Sequence, residues 1–128
     1  MNTATPEPRG TEPLSSEVLR GHTDAIVLTV LRRQDRYGYE IYKAIGDATG
    51  GEYEVKEATL YATFLRLVRD GLVDAYWGDE TQGGRRKYYS ITDAGRAYQE
   101  RAVRDWRATQ RILTTLLDTK NSPISKEA

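Results

Sequence analysis

From Thr92 to about Asp118 the chain reads as one helix of about 25 residues, long for a protein of 128. Thr92 and Asp93 supply its start, an Ncap hydroxyl and a carboxylate set against the positive end of the helix dipole. Along it Val103, Trp106, Gln110, Leu113 and Leu117 recur at alternating steps of three and four. That spacing is the seam of a helix lying along another helix, and a partner chain is the expected occupant.

Everything else must fold ahead of Thr92, where the pattern changes element by element. Thr23 or Asp24 is placed to cap a first helix whose Ala25, Ile26, Leu28, Val30 and Leu31 surround it with apolar surface, and which is expected to end near Asp35. A second helix is expected from Gly38-Tyr39, with Ile41, Tyr42 and Ile45 at helical spacing and a stop at Gly50-Gly51. A third runs from about Lys56 to Asp70. At 100° per residue, Leu60, Tyr61, Phe64, Leu65, Leu67 and Val68 share one arc, and Thr59, Ala62, Thr63, Arg66, Arg69 and Asp70 the opposite one. Gly71 follows as a C-terminal cap. A strand ending at Tyr76-Trp77, a polar loop from Gly78 to Gly84 and a returning strand from Arg86 to Ile91 then predict a β-hairpin.

Residues 1–13 hold three of the four prolines, with Thr and Glu and no apolar periodicity, and are expected to be a flexible arm. Residues 121–128 are expected to be a flexible tail. The expected fold class is α+β, mostly α: a winged helix-turn-helix domain over 14–91, then a dimerisation helix over 92–120. In such a layout the third helix enters the major groove and the hairpin lies along the backbone.

The side chains suit that task. Thr59, Ala62 and Thr63 are small enough for close approach to base edges, and Lys56, Arg66 and Arg69 flank them. Arg85, Arg86 and Lys87 follow Gly83-Gly84 in a stretch from Thr81 to Ile91 without an acid, which suits phosphate contact from a wing. Against this, Lys plus Arg and Asp plus Glu balance at 19 each, and an interaction module that binds another protein through the same surfaces stays open beside the DNA reading.

Other chemistries find little to use. Without cysteine there are no thiolate nucleophiles or Cys-based zinc sites. A lone His22 beside Gly21 and Thr23 reads as a capping neighbour, so no metal is expected. Gly83 to Lys87 lacks the spacing of a phosphate loop, and no nucleophile, base and orienting group assemble, so neither enzyme activity nor a cofactor is expected. The longest apolar stretch, Ala25 to Leu31, is too short to cross a bilayer, and the N-terminus lacks a signal-peptide pattern; a cytoplasmic location is expected.

Three stretches carry a resemblance. They are Tyr37-Gly38-Tyr39-Glu40-Ile41; Thr59-Leu60-Tyr61 through Arg66-Leu67 to Asp70-Gly71-Leu72-Val73; and Arg85-Arg86-Lys87-Tyr88-Tyr89-Ser90-Ile91-Thr92 with Gly95. In this order, the chain from about Leu19 to Leu117 resembles the PadR-type transcriptional regulators, in particular the short subgroup with one long C-terminal helix. It departs at Ala62, where proline is common, and at Val68, where an acidic residue is frequent. The resemblance implies a homodimeric repressor on double-stranded operator DNA, with Tyr39, Thr59, Tyr61 and the Arg-Arg-Lys of the wing at or near the DNA. It also implies a place for Trp106 on the dimer seam, where some relatives stack flat aromatic ligands, so a small-molecule effector joins the expected partners. Two readings stand for Tyr61, a phosphate contact or a core-edge ring, for Trp106, a ligand wall or plain packing, and for Gln110, a register residue or a cavity wall.

Overall fold

The first helix takes its place because it is apolar on most sides. In the computed structural model, which describes residues 19–79, 84–118, 120 and 122–124, α1 (Thr23–Leu31) is central, with Val27, Leu28 and Leu31 buried. A 3-10 turn, Arg20–His22, precedes it, and Thr23, rather than capping the helix, turns its hydroxyl back to the Arg20 carbonyl at 3.2 Å. The helix also ends before Asp35. At Leu31 the chain leaves it, and Arg36–Tyr37 form a two-residue strand, β1, that the sequence pattern did not announce.

Helix α2 (Gly38–Ala48) starts directly after that strand, with Glu40 Oε1 accepting the Tyr37 N–H at 3.2 Å, and packs Ile41 and Ile45 inward. Helix α3 (Glu57–Arg69) stops in the way its sequence implies. Gly71 takes φ 79°, the Leu72 N–H bonds the Leu67 carbonyl at 3.0 Å, and the Gly71 N–H bonds that of Val68 at 3.1 Å. This Schellman closure satisfies carbonyls that would otherwise be orphaned.

Strands β2 (Val73–Trp77) and β3 (Lys87–Ile91) form the hairpin, and β1 pairs on the far side of β3, giving a three-stranded antiparallel sheet in the order β1-β3-β2. The register sets Val73 opposite Ile91, Tyr76 opposite Tyr88 and Trp77 opposite Lys87. Leu28, Leu31, Ile41, Leu60, Phe64, Leu67, Val73 and Tyr89 meet as one core beneath this sheet. Each large apolar side chain so buried contributes about 1.5–3 kcal/mol relative to exposure.

Helix α4 (Asp93–Leu117) is clamped at its start. The Thr92 hydroxyl accepts the Gly95 N–H at 3.0 Å and donates to the Gly71 carbonyl at 2.8 Å. Gly95 lies so close to the hairpin that a Cβ there would stand 2.2 Å from the Leu72 carbonyl oxygen. One turn on, Gln99, 7% exposed, donates to Thr29 Oγ1 at 2.8 Å and accepts from Arg32 Nη1 at 3.1 Å, fixing α4 across α1. The expected N-terminal arm, residues 1–13, and Gly83 lie outside the described residues, as does most of the expected tail. In the described part of that tail Ser122 is buried, its hydroxyl donating to the Leu116 carbonyl at 2.9 Å, so residues 122–124 fold back on the end of α4.

Candidate nucleic-acid interface

The exposed side of α3 begins with Lys56, the residue before its first turn, and continues through Thr59 and Ala62, all exposed. Thr63 is a correction. The core contacts run through Leu60, Phe64 and Leu67, at i, i+4 and i+7, and Thr63 falls inside that arc, buried, its hydroxyl satisfied by the Thr59 carbonyl at 2.9 Å. The same rotation turns Leu65 outward to 67% exposure, so the face offered to a ligand is centred on Ala58, Ala62, Leu65 and Arg69. Thr63 therefore does not stand on the surface that the sequence assigned to it.

Arg66 is on that surface but occupied, its guanidinium donating to the carboxylate of Asp24 on α1. Arg69 pairs with the neighbouring Asp70 at 3.1 Å. Tyr61 stands edge-on to Phe64 with centroids 5.1 Å apart, and its hydroxyl end rests against Gly38, where an added Cβ would be 2.5 Å from the phenol oxygen. The ring is therefore a brace between α3 and the start of α2 as well as a partly exposed aromatic. Tyr39, on α2, is exposed beside Tyr42.

The hairpin presents Arg85, Arg86 and Lys87, all exposed. Arg86 lies over the Tyr37 ring at 4.7 Å, while Arg85 and Lys87 both lie over Trp77, at 5.7 and 5.9 Å. Across the other face of the sheet Tyr37, Tyr88 and Tyr76 form an aromatic row, with Tyr76 stacked on Tyr88 and Tyr37 edge-on to it. Tyr76 donates its hydroxyl to Asp35, and that bond to a carboxylate raises the phenol above its ordinary value. Sequence reasoning missed this system; the pairing of Trp77 with Lys87 follows only from the register.

The expected seam of α4 is largely exposed. Val103 is half-buried, while Trp106, at 46%, Gln110, Leu113 and Leu117 are exposed. Ile112 and Leu116 add to it from a neighbouring line and were missed, because they fall outside the three-four repeat. Beside the upper part of the seam an apolar groove of about 480 Å³ runs between α1, α2 and α4, lined by Ala25, Ile26, Val30, Ile45, Val103 and Trp106 among others. Among the described residues no cluster of His, Asp and Glu could hold a metal, and no helix is long and apolar enough to cross a membrane.

Three helices, a small antiparallel sheet ending in a basic hairpin, and a long trailing helix define a winged-helix DNA-binding protein. Residues 27–101 match the PadR-like family of transcriptional regulators, and the chain belongs to that family. It is 43% identical over 103 residues to a Lysinibacillus sphaericus protein of unassigned function, covering 80% of this chain and 94% of that one. A transcriptional regulator from Clostridium thermocellum superposes with a TM-score of 0.75 at 40% identity, over 81% of this chain and 98% of its own. Bacillus subtilis PadR, solved in complex with operator DNA, shares the fold with a TM-score of 0.58 at 20% identity, over 62% of this chain and 45% of its own.

Proposed function

We propose that this regulator is a homodimeric repressor that grips a near-palindromic operator with two α3 helices and two wings. The observation that carries the reading is the wing: three adjacent cations, all exposed and none neutralised by a carboxylate among the described residues, on the hairpin that follows α3. Lys56, Thr59 and Ala62 face the major groove, with Tyr39, Tyr61 and Arg66 at its edge, and Arg85, Arg86 and Lys87 take phosphates. The operator complex of Bacillus subtilis PadR supports this use of the fold.

Dimerisation follows from α4. Its C-terminal half exposes Trp106, Ile112, Leu113, Leu116 and Leu117, an apolar surface that a regulator in water covers with a second copy. Pairing through this helix sets the two α3 helices about 34 Å apart, one turn of B-DNA. The groove beside Trp106 supports an effector site: a small apolar molecule there would alter how α4 lies on α1, and with it the separation of the wings. It releases the operator to the extent that it binds one arrangement more tightly than the other.

The test is a gel-shift titration against the DNA upstream of the protein's own gene, at low and moderate salt, beside Arg85→Ala/Arg86→Ala/Lys87→Ala. Selective binding is expected with a steep salt slope. Removing three phosphate contacts from each of two wings should flatten that slope by up to about 5 units at roughly 0.9 per contact. A folded dimer that selects no fragment from the whole genome even at low salt would refute the proposal.

A further inference from the structure

Trp77 is the largest exposed side chain of the sheet, 55% accessible, and the core does not explain it. It continues the face of Val73 and Ala75, but two residues past the last of these to be covered. Its position opposite Lys87 in the register, with Lys87 and Arg85 two residues apart on the same side, brings both cations over one ring. At 5.7 and 5.9 Å from the centroid each is within the range where the ring quadrupole attracts a cation.

The backbone does not fix Arg85. The last rung of the hairpin is the Gly78 N–H to Arg86 carbonyl bond at 2.7 Å, and Gly84 before it takes φ 85°. Two like charges on one face repel, and both carry long stems with many rotamers. The ring offsets both effects before any DNA arrives.

Resting on the DNA-binding reading above, we propose that Trp77 is a positioning residue of the wing, holding Arg85 and Lys87 ready for phosphate. It acts through those two cations, so its contribution vanishes when they are absent. A long side chain that is already ordered does not lose that freedom on binding, and two of them account for a roughly five- to thirtyfold gain in affinity per wing.

A double-mutant cycle tests this. The wild type, Trp77→Ala, Arg85→Gln/Lys87→Gln and the triple combination are titrated at low salt against a labelled duplex from upstream of the gene, with Trp77→Phe as the aromatic control and circular dichroism melts to confirm folding. Trp77→Ala, which acts in both wings of the dimer, should weaken binding by a factor on the order of a hundred and change nothing in the Arg85→Gln/Lys87→Gln background. Trp77→Phe should recover part of the loss, and Arg85→Gln alone should lower the salt slope by about 0.9 per wing while Trp77→Ala leaves it unchanged. Wild-type affinity in Trp77→Ala, or an equal loss in both backgrounds, overturns the positioning role and leaves the regulator reading standing. If the folded wild type selects no duplex from the whole genome, both fall together.

Discussion

Gln99 gives the sharpest test of how α4 is joined to the winged domain. Its amide makes two bonds to α1, donating to Thr29 Oγ1 at 2.8 Å and accepting from Arg32 Nη1 at 3.1 Å. Neither partner is stranded when the amide goes. The Thr29 hydroxyl still donates to the Ala25 carbonyl at 2.7 Å, and Arg32, a third exposed, keeps Glu100 at 3.3 Å. The neutral bond is therefore worth about 1 kcal/mol and the charge-assisted one about 1.5, the low end of its range. Gln99→Met fills the same space and recovers about 1 kcal/mol of apolar burial, for a net loss of about 1.5 kcal/mol. Gln99→Ala loses both bonds and leaves a small void, about 3.5 kcal/mol in all. At about 4 °C per kcal/mol for a chain of this size, thermal melts at one fixed protein concentration should fall by about 6 °C and about 14 °C respectively. If Gln99→Met costs as much as Gln99→Ala, the partners were not satisfied elsewhere. If Gln99→Ala melts with the wild type, the amide joins nothing.

Two further perturbations test the packing around the hairpin. Gly95→Ala should cost about 3 kcal/mol or more and lower the melting temperature by over 10 °C, because its Cβ meets the Leu72 carbonyl at 2.2 Å and that carbonyl is held by the Thr92 N–H; an unchanged melt would contradict the close approach. Tyr89 is raised above its ordinary value of 10.0, first by burial and then by Tyr61. A phenol that resists ionisation when folded gives stability that is complete below that value and is lost as pH climbs above it. The unfolding free energy measured in urea should therefore fall with pH between pH 9 and about 11 in the wild type and fall less in Tyr89→Phe, and parallel curves would remove Tyr89 from the alkaline limb.

Periodicity made the helices and hairpin legible because those elements bury a stripe that repeats along the chain. It failed where contacts are long-range or where a small polar residue satisfies itself. Thr63 reads as surface by hydropathy, yet its hydroxyl bonds the carbonyl four residues back, so it enters the core at little cost. Leu65 reads as core and points outward. The strand Arg36–Tyr37 is too short to show alternation, and its partners Tyr88 and Tyr89 lie some 50 residues further on. Gln99 carried no signal at all, since its partners are 67 and 70 residues away. The wing cations were visible as a cluster, but the rings beneath them appear only once Trp77 is set opposite Lys87.

A chain with no net charge binds a polyanion through where its charges stand. Arg66 and Arg69, the two cations within α3, each have a carboxylate within ion-pair distance, so the positive charge of that helix is already answered. Arg85, Arg86 and Lys87 lie instead on aromatic rings, which orient a cation without cancelling its charge. In the proposed complex the work therefore divides. The wing supplies the salt-sensitive attraction to phosphate, while α3, with Arg66 tied to Asp24 and small residues outward, supplies shape and base-edge contact. That division places Arg66 in a supporting role: it holds α3 against α1, the same helix that walls the groove beside Trp106.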